Sequence, residues 1–206
     1  MLSVSGFLIG LRFAATTTNG FFTLGVRQGM STESATIQDA HSMTLSTLSR
    51  VLGEGVFSSS VFRDNLRLFS PASRLLDLLK VLRDGCGFHF LSEVGATDYL
   101  GYPGRTRSRF EVHYVLRHLE SNEFLVVKCG VDDPKPTLPS VTCLWSGANW
   151  MEREVFDMFG ISFTDHPDLR RILMPEEFIS FPLRKDYPLR GRGERHNFPR
   201  LTRGES

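Results

Sequence analysis

The chain has 206 residues, with 24 Lys and Arg against 23 Asp and Glu, a formal net charge of +1, and 41% hydrophobic and 11% aromatic residues. That length predicts one domain with at most an appendage, and 17 Phe predict an aromatic-rich core. The near-neutral balance excludes a whole-molecule drive toward nucleic acid or anionic membrane, so any such role must come from local clusters.

The three cysteines, Cys86, Cys129 and Cys143, form no C-x-x-C pair. The chain alone therefore builds neither a zinc knuckle nor a four-cysteine iron–sulfur centre. An odd, widely spaced set predicts free thiols in a reducing compartment rather than a disulfide framework. No apolar run has the length needed to cross a bilayer, which predicts a soluble or peripheral protein.

Residues 1–30 carry Arg12 and Arg27, no acid before Glu33, and abundant Ser, Thr, Gly and Phe. That composition suits a mitochondrial presequence or an extended N-terminal arm. An α+β domain is expected over residues 31–164. Within 31–52, Ile37, Met43, Leu45, Leu48 and Leu52 have helical spacing and Gly53 is a stop. A short strand follows at Asn65–Phe69, where Leu66 and Leu68 flank Arg67. Ser70 and Pro71 predict a helix start, the apolar spacing continues through Leu75, Leu76, Leu78, Leu79 and Leu82, and Gly85 is the expected stop.

The strand signals beyond are Phe88 and Phe90 against His89 and Leu91, then Phe110, Val112, Tyr114 and Leu116 against Arg109, Glu111, His113 and Arg117. The second set predicts one buried and one wet face. Glu123–Val131, rich in β-branched residues, is a third, and Val141, Cys143 and Trp145 alternate to make a fourth. The linkers are Gly101–Gly104 with Arg105 and Arg107, and Asp132–Pro139 with its prolines. The pattern predicts an α+β class: a small mixed or antiparallel sheet with flanking helices, then an extended irregular C-terminal tail over 165–206. His89, His113 and His118 fall singly on strands and read as polar-face residues.

Asn149 to Leu189 is the stretch that departs from a generic domain. Asn149 with Glu152 fits a capping box, and Gly160 ends that helix. Met151, Val155, Met158 and Phe159 share a face suited to packing on the sheet. Arg153 and Asp157 lie one turn apart, with Glu154 and Trp150 beside them, as on a solvated face. They run into a second charged cluster, Asp165-His166-Pro167-Asp168-Leu169-Arg170-Arg171, which together suggests a docking surface. Carboxylates and an imidazole this close raise a metal or acid–base reading. Arg153, Arg170 and Arg171 argue against it, since they repel a cation and pair the acids instead.

From His166 onward, Pro167, Pro175, Pro182, Pro188 and Pro199 deny the chain a long helix or a central strand. Leu169, Ile172, Leu173, Phe178, Ile179, Phe181, Leu183, Tyr187 and Leu189 are too much apolar surface to leave in water. An extended segment of apolar, aromatic and arginine residues suits wrapping along another protein. A competing reading uses Arg184-Lys185, Arg190-Gly191-Arg192-Gly193 and Arg195 for RNA, against the interleaved Glu176, Glu177, Asp186 and Glu194.

These residues resemble a known signature. Glu152-Arg153-Glu154, Asp157, Gly160, His166, Asp168-Leu169-Arg170-Arg171-Ile172-Leu173 and Pro182-Leu183-Arg184-Lys185-Asp186-Tyr187-Pro188-Leu189 are similar to the thirty-kilodalton subunit (the C-type subunit) of respiratory complex I, NADH:ubiquinone oxidoreductase. Ser146 to Trp150 and the strand Arg109–Leu116 agree with it, and the similarity spans about Asn65 to Leu189. Ile179-Ser180-Phe181 departs from the family's Glu-Gly-His, and Arg190–Arg200 is basic where the family continues acidic.

The resemblance implies a non-catalytic subunit of the hydrophilic arm, docked on the homologue of the D-type subunit near the quinone site and on neighbouring subunits of that arm. It would support NADH-to-ubiquinone electron transfer coupled to proton pumping, on the matrix side of the mitochondrial inner membrane. It implies no cofactor on this chain, with FMN, iron–sulfur clusters and ubiquinone held by other subunits. The membrane is then reached only through the complex, and nucleic acid is no partner. Glu152, Arg153, Glu154, Asp157, His166, Asp168, Arg170, Arg171, Pro182, Arg184, Lys185, Asp186 and Tyr187 are the implied interface residues. Membrane hydrogenases and other quinone-reducing complexes share this subunit type, so the electron donor rests on the mitochondrial reading of residues 1–30.

Overall fold

The computed structural model describes residues 41–63, 65–104 and 108–194. The presequence-like segment, the helical spacing before His41, Arg105, Arg107 and the basic end from Arg195 lie outside them. The element order is α1 (Ser42–Leu52), β1 (Ser58–Phe62), β2 (Asn65–Ser70), a 3-10 turn (Ala72–Arg74), α2 (Leu75–Cys86), β3 (Phe90–Asp98), β4 (Phe110–Arg117), β5 (Phe124–Val131), β6 (Thr137–Pro139), α3 (Ala148–Phe159) and β7 (Ser162–Thr164).

A five-stranded sheet has the order β1-β2-β5-β4-β3. All neighbours are antiparallel except β2 and β5, which run parallel. Sequential hairpins alone would have made the sheet wholly antiparallel. The helix between β2 and β3 instead carries the chain to the far edge, and β5 returns to the centre beside β2.

The alternation of β4 is realised. Phe110, Val112, Tyr114 and Leu116 are fully buried on one face. They meet Leu66 and Leu68 of β2, Leu125 and Val127 of β5, and Leu75, Leu78, Leu79 and Leu82 of α2 in one core. On the opposite face Glu111 is less wet than its spacing suggested, because Lys128 Nζ on β5 donates to its Oε1 at 2.7 Å. The edge strand β3 is protected by α3, with the Val94 amide donating to the Met151 sulfur at 3.2 Å.

Several boundaries move for local reasons. Ser70 closes β2, and its hydroxyl donates to the Pro71 carbonyl rather than capping a helix. Pro71 is extended (ψ 153°), so the first turn is 3-10 and the α-helix begins at Leu75. It runs past Gly85 to Cys86 and stops at Gly87, which is left-handed at φ 78°. Phe88 is buried and Phe90 half-exposed, so the first β3 alternation slips, and β3 begins only at Phe90. Val141–Trp145 is not a strand, since the amides of Leu144 and Trp145 both turn back to the Val141 carbonyl. The strand in that region is β6, which pairs in parallel with β7.

Helix α3 ends where the sequence placed its stop, at Gly160 with φ 73°. A Cβ there would stand about 2.5 Å from the Phe181 ring. Gly160→Ala is expected to cost about 1–2 kcal/mol from the left-handed backbone alone, and more from the ring clash, read as a lowered urea midpoint at unchanged slope.

Candidate functional site

After β7, residues 165–194 lie back across the domain as a strap, and among the described residues no α-helix or strand follows β7. Two buried carboxylates hold it. The first is Asp157 on α3, whose Oδ2 accepts the amides of Ile172 (3.1 Å), Leu173 (2.7 Å) and Met174 (2.9 Å). Its Oδ1 accepts Arg171 Nη1 at 2.7 Å, and Arg171 Nη2 donates onward to the Ser180 carbonyl. Burial pushes the Asp157 carboxyl up, but the three amides and the Arg171 guanidinium outweigh it and hold it below its ordinary value.

The second is Asp98 at the end of β3. Its Oδ2 accepts the Lys185 amide at 2.8 Å and Arg109 Nη2 at 3.0 Å, and its Oδ1 accepts the Leu100 amide at 2.9 Å. Arg109 continues to Asp133 at 2.5 Å and to Asp186 of the strap at 2.8 Å. Burial raises the Asp98 carboxyl, and Arg109 with the two amides more than reverses it, leaving it lowered. Arg109 is raised in turn, chiefly by its bond to Asp98.

Between these anchors the Arg184 side chain points inward. Its Nε donates to the Phe159 carbonyl, and its guanidinium lies 5.0 Å from the Phe110 centroid and 4.9 Å from that of Phe181. The Leu183 amide meets the Met158 carbonyl at 3.1 Å, and Tyr187 stacks edge-on against Phe178.

A third buried acid fixes the approach to α3. Glu152 accepts the Val141 amide at Oε1 and the Ser140 hydroxyl at Oε2, both at 2.7 Å. It is fully buried, and desolvation leaves its carboxyl raised despite those two bonds. His166 Nε2 lies 3.8 Å from it, and both side chains are inaccessible. The His166 Nδ1 accepts the Asp168 amide, which places the ring proton on Nε2, facing the Asn149 carbonyl. The capping box is therefore not formed. Gly147 is the N-cap, Asn149 lies inside the helix, and Glu152 turns to the β6–α3 turn.

The expected solvated face of α3 is thus corrected. Glu152 and Asp157 are fully buried and Arg153 nearly so, because the strap folds over them. Arg153 donates from Nε to the Arg170 carbonyl and stacks on Trp150, while Trp150 and Glu154 remain exposed. Asp168 and Arg170 pair at 2.7 Å at the surface, an arrangement worth little. Pro182 is half-buried and the Lys185 side chain is exposed. The RNA reading loses Arg184, which is spent internally. Asp98, Arg109 and Asp133 were not picked out from the sequence. Among the described residues no group of His, Cys, Asp and Glu is placed to hold a metal ion, and no helix is long and apolar enough to cross a membrane.

The arrangement is a clamp on the chain's own tail rather than a cleft with converging reactive groups. Residues 68–193 match the model of the respiratory-chain NADH dehydrogenase 30 kDa subunit family. The chain belongs to this family. It is 44% identical over 147 residues to the C-type subunit of the NADH-quinone oxidoreductase of Roseiflexus sp. strain RS-1, covering 70% of this chain and 82% of that one. It is 41% identical over 152 residues to NADH-quinone oxidoreductase subunit 5 of Thermus thermophilus, covering 69% and 72%. A solved trypsin-resistant fragment (1–134) of Nqo5 superposes with a TM-score of 0.53 at 36% identity, over 60% of this chain and 99% of the fragment. A chain of the archaeal membrane-bound sulfane sulfur reductase shares the fold, with a TM-score of 0.61 at 23% identity over 73% and 86%. Residues 68–193 include Asp98, Arg109, Asp157, Arg171, Arg184 and Asp186, which close the clamp here.

Proposed function

We propose that the chain is a structural subunit of the hydrophilic arm of a mitochondrial-type complex I, docked on the homologue of the D-type subunit near the quinone site. It supports NADH-to-ubiquinone electron transfer coupled to proton pumping by shaping the arm, and carries no catalytic group itself. FMN, iron–sulfur clusters and ubiquinone belong to other subunits, and the chain meets the matrix side of the inner membrane only through the complex. The observation that supports this reading is the division of labour within the strap. The Arg171 and Arg184 side chains and the amides of Ile172, Leu173, Met174 and Lys185 turn onto its own domain, whereas the side chains of Leu173, Ile179, Leu183 and Leu189 are exposed. A segment so pinned presents an apolar outer surface with its ordering entropy already met.

Changing Leu173, Ile179 and Leu183 together to serine is expected to reduce recovery of the chain in the purified complex about tenfold or more, with the melting temperature of the isolated chain held. Undiminished recovery on native gels would remove the strap from the interface.

A further inference from the structure

The face of the main sheet turned away from α1 and α2 carries an aromatic row. Phe62 on β1 stands opposite Asn65 on β2, and Arg117 on β4 stands opposite both Phe124 on β5 and Phe90 on β3. Asn65 lies one position before the Leu66–Leu125 pair, so the row crosses all five strands, about 20 Å at the usual strand spacing. Phe62, Phe124 and Phe90 are 47%, 39% and 48% exposed. Large apolar groups aligned on one flat face mark an interaction surface rather than scattered surface residues.

Arginines lie over two of the rings. Arg67 sits 4.1 Å and Arg63 5.4 Å from the Phe62 centroid, and Arg117 sits 4.8 Å from that of Phe124. Arg117 also donates to the Asn122 amide oxygen. Among the described residues no ion pair joins any of the three to a carboxylate, whereas Arg109, Arg170, Arg171 and Arg184 around the strap are each paired with one. A guanidinium stacked on a ring keeps N–H groups at its edge for an acceptor, at Nη1 in the case of Arg117, whose Nε and Nη2 both donate to Asn122. Covering the phenylalanines would strip water from these cations, which is costly unless the covering surface supplies the counter-charge.

We propose that this sheet face docks an apolar segment of a neighbouring subunit that carries carboxylates, its acids meeting Arg63, Arg67 and Arg117 and its apolar side chains covering the phenylalanine row. The inference rests on the assembly reading above. A single-stranded nucleic acid would also stack on such rings, and its adducts are a separate outcome of the test.

The test uses the full chain in its assembled complex, with Phe62 or Phe124 replaced by the photoreactive p-benzoylphenylalanine. After irradiation the complex is purified and its adducts are mapped by mass spectrometry. Adducts to one Asp- or Glu-bearing segment of another subunit are expected. Arg117→Glu should lower their yield about tenfold and Arg117→Lys much less. Adducts to residues 1–40 of this chain, to a second copy or to RNA would overturn the proposal, as would their absence from a complex that contains the chain. Absence of the chain from the complex would overturn the assembly reading together with this one.

Discussion

Asp157→Ala is expected to destabilise the chain by about 3 kcal/mol, the lower part of the range for breaking a buried, hydrogen-bonded charge. One carboxylate there satisfies three consecutive backbone amides and the Arg171 guanidinium. Alanine leaves all four donors facing a void, and each unsatisfied buried group costs on the order of 1–3 kcal/mol. Arg171 is partly exposed and Leu173 more so, so water reaches some of these donors once the acid is gone, which keeps the total below their sum. Asp157→Asn should recover little, because its amide turns hydrogens toward donors at one of the two oxygen positions. The measurement is the urea midpoint of the isolated full chain. A loss under about 1 kcal/mol, the worth of one ordinary hydrogen bond, would mean that the strap is not held at Asp157.

The second large effect is expected at Asp98. Asp98→Ala should cost about 2 kcal/mol, less than Asp157 because Arg109 keeps Asp133 and Asp186 as partners. Its site-specific sign is faster hydrogen exchange at the Lys185 amide, which loses its acceptor. Acid should reproduce both substitutions. The folded Asp98 and Asp157 carboxyls lie below their ordinary value, so the unfolded chain binds more protons in acid. Their stabilisation is complete above about pH 4, the unperturbed Asp range, and is lost as pH falls through the lower folded values. Glu152 has the opposite sign. Its raised carboxyl favours the folded chain in acid, and that contribution fades as pH rises from about 4.3, the unperturbed Glu value, through its folded value. Asp157→Ala should flatten the acid limb of a stability profile; an unchanged limb would refute its assignment.

What could be read from the sequence follows from where information is local. The alternation through Phe110–Leu116 and the stop at Gly160 depend on residues near in sequence, and both are realised. The Val141–Trp145 reading failed because spacing by two suits a tight turn as well as a strand: the Leu144 and Trp145 amides close on the Val141 carbonyl, and the Val141 amide goes to Glu152, eleven positions away. The parallel β2–β5 pairing has no local signature. Neither has the partnership of Asp98 with Lys185, since an acid ending a strand looks like any solvated loop residue. The charged motif was visible, but its direction was not: acids and bases one turn apart on a helix read as a wet face until a distant segment covers them.

The span between anchor and strap has a temporal consequence. Asp98 and Lys185 are 87 positions apart, and Arg109 and Asp186 are 77 apart. Synthesis runs from the amino end, so the sheet and α3 are complete before the strap exists. Each socket is thus finished ahead of its occupant, and its carboxylate stands hydrated while it waits. When the strap emerges it meets a ready-made receptor on the same molecule, at the high effective concentration that a tether enforces. The domain is in this sense the first partner its own tail encounters.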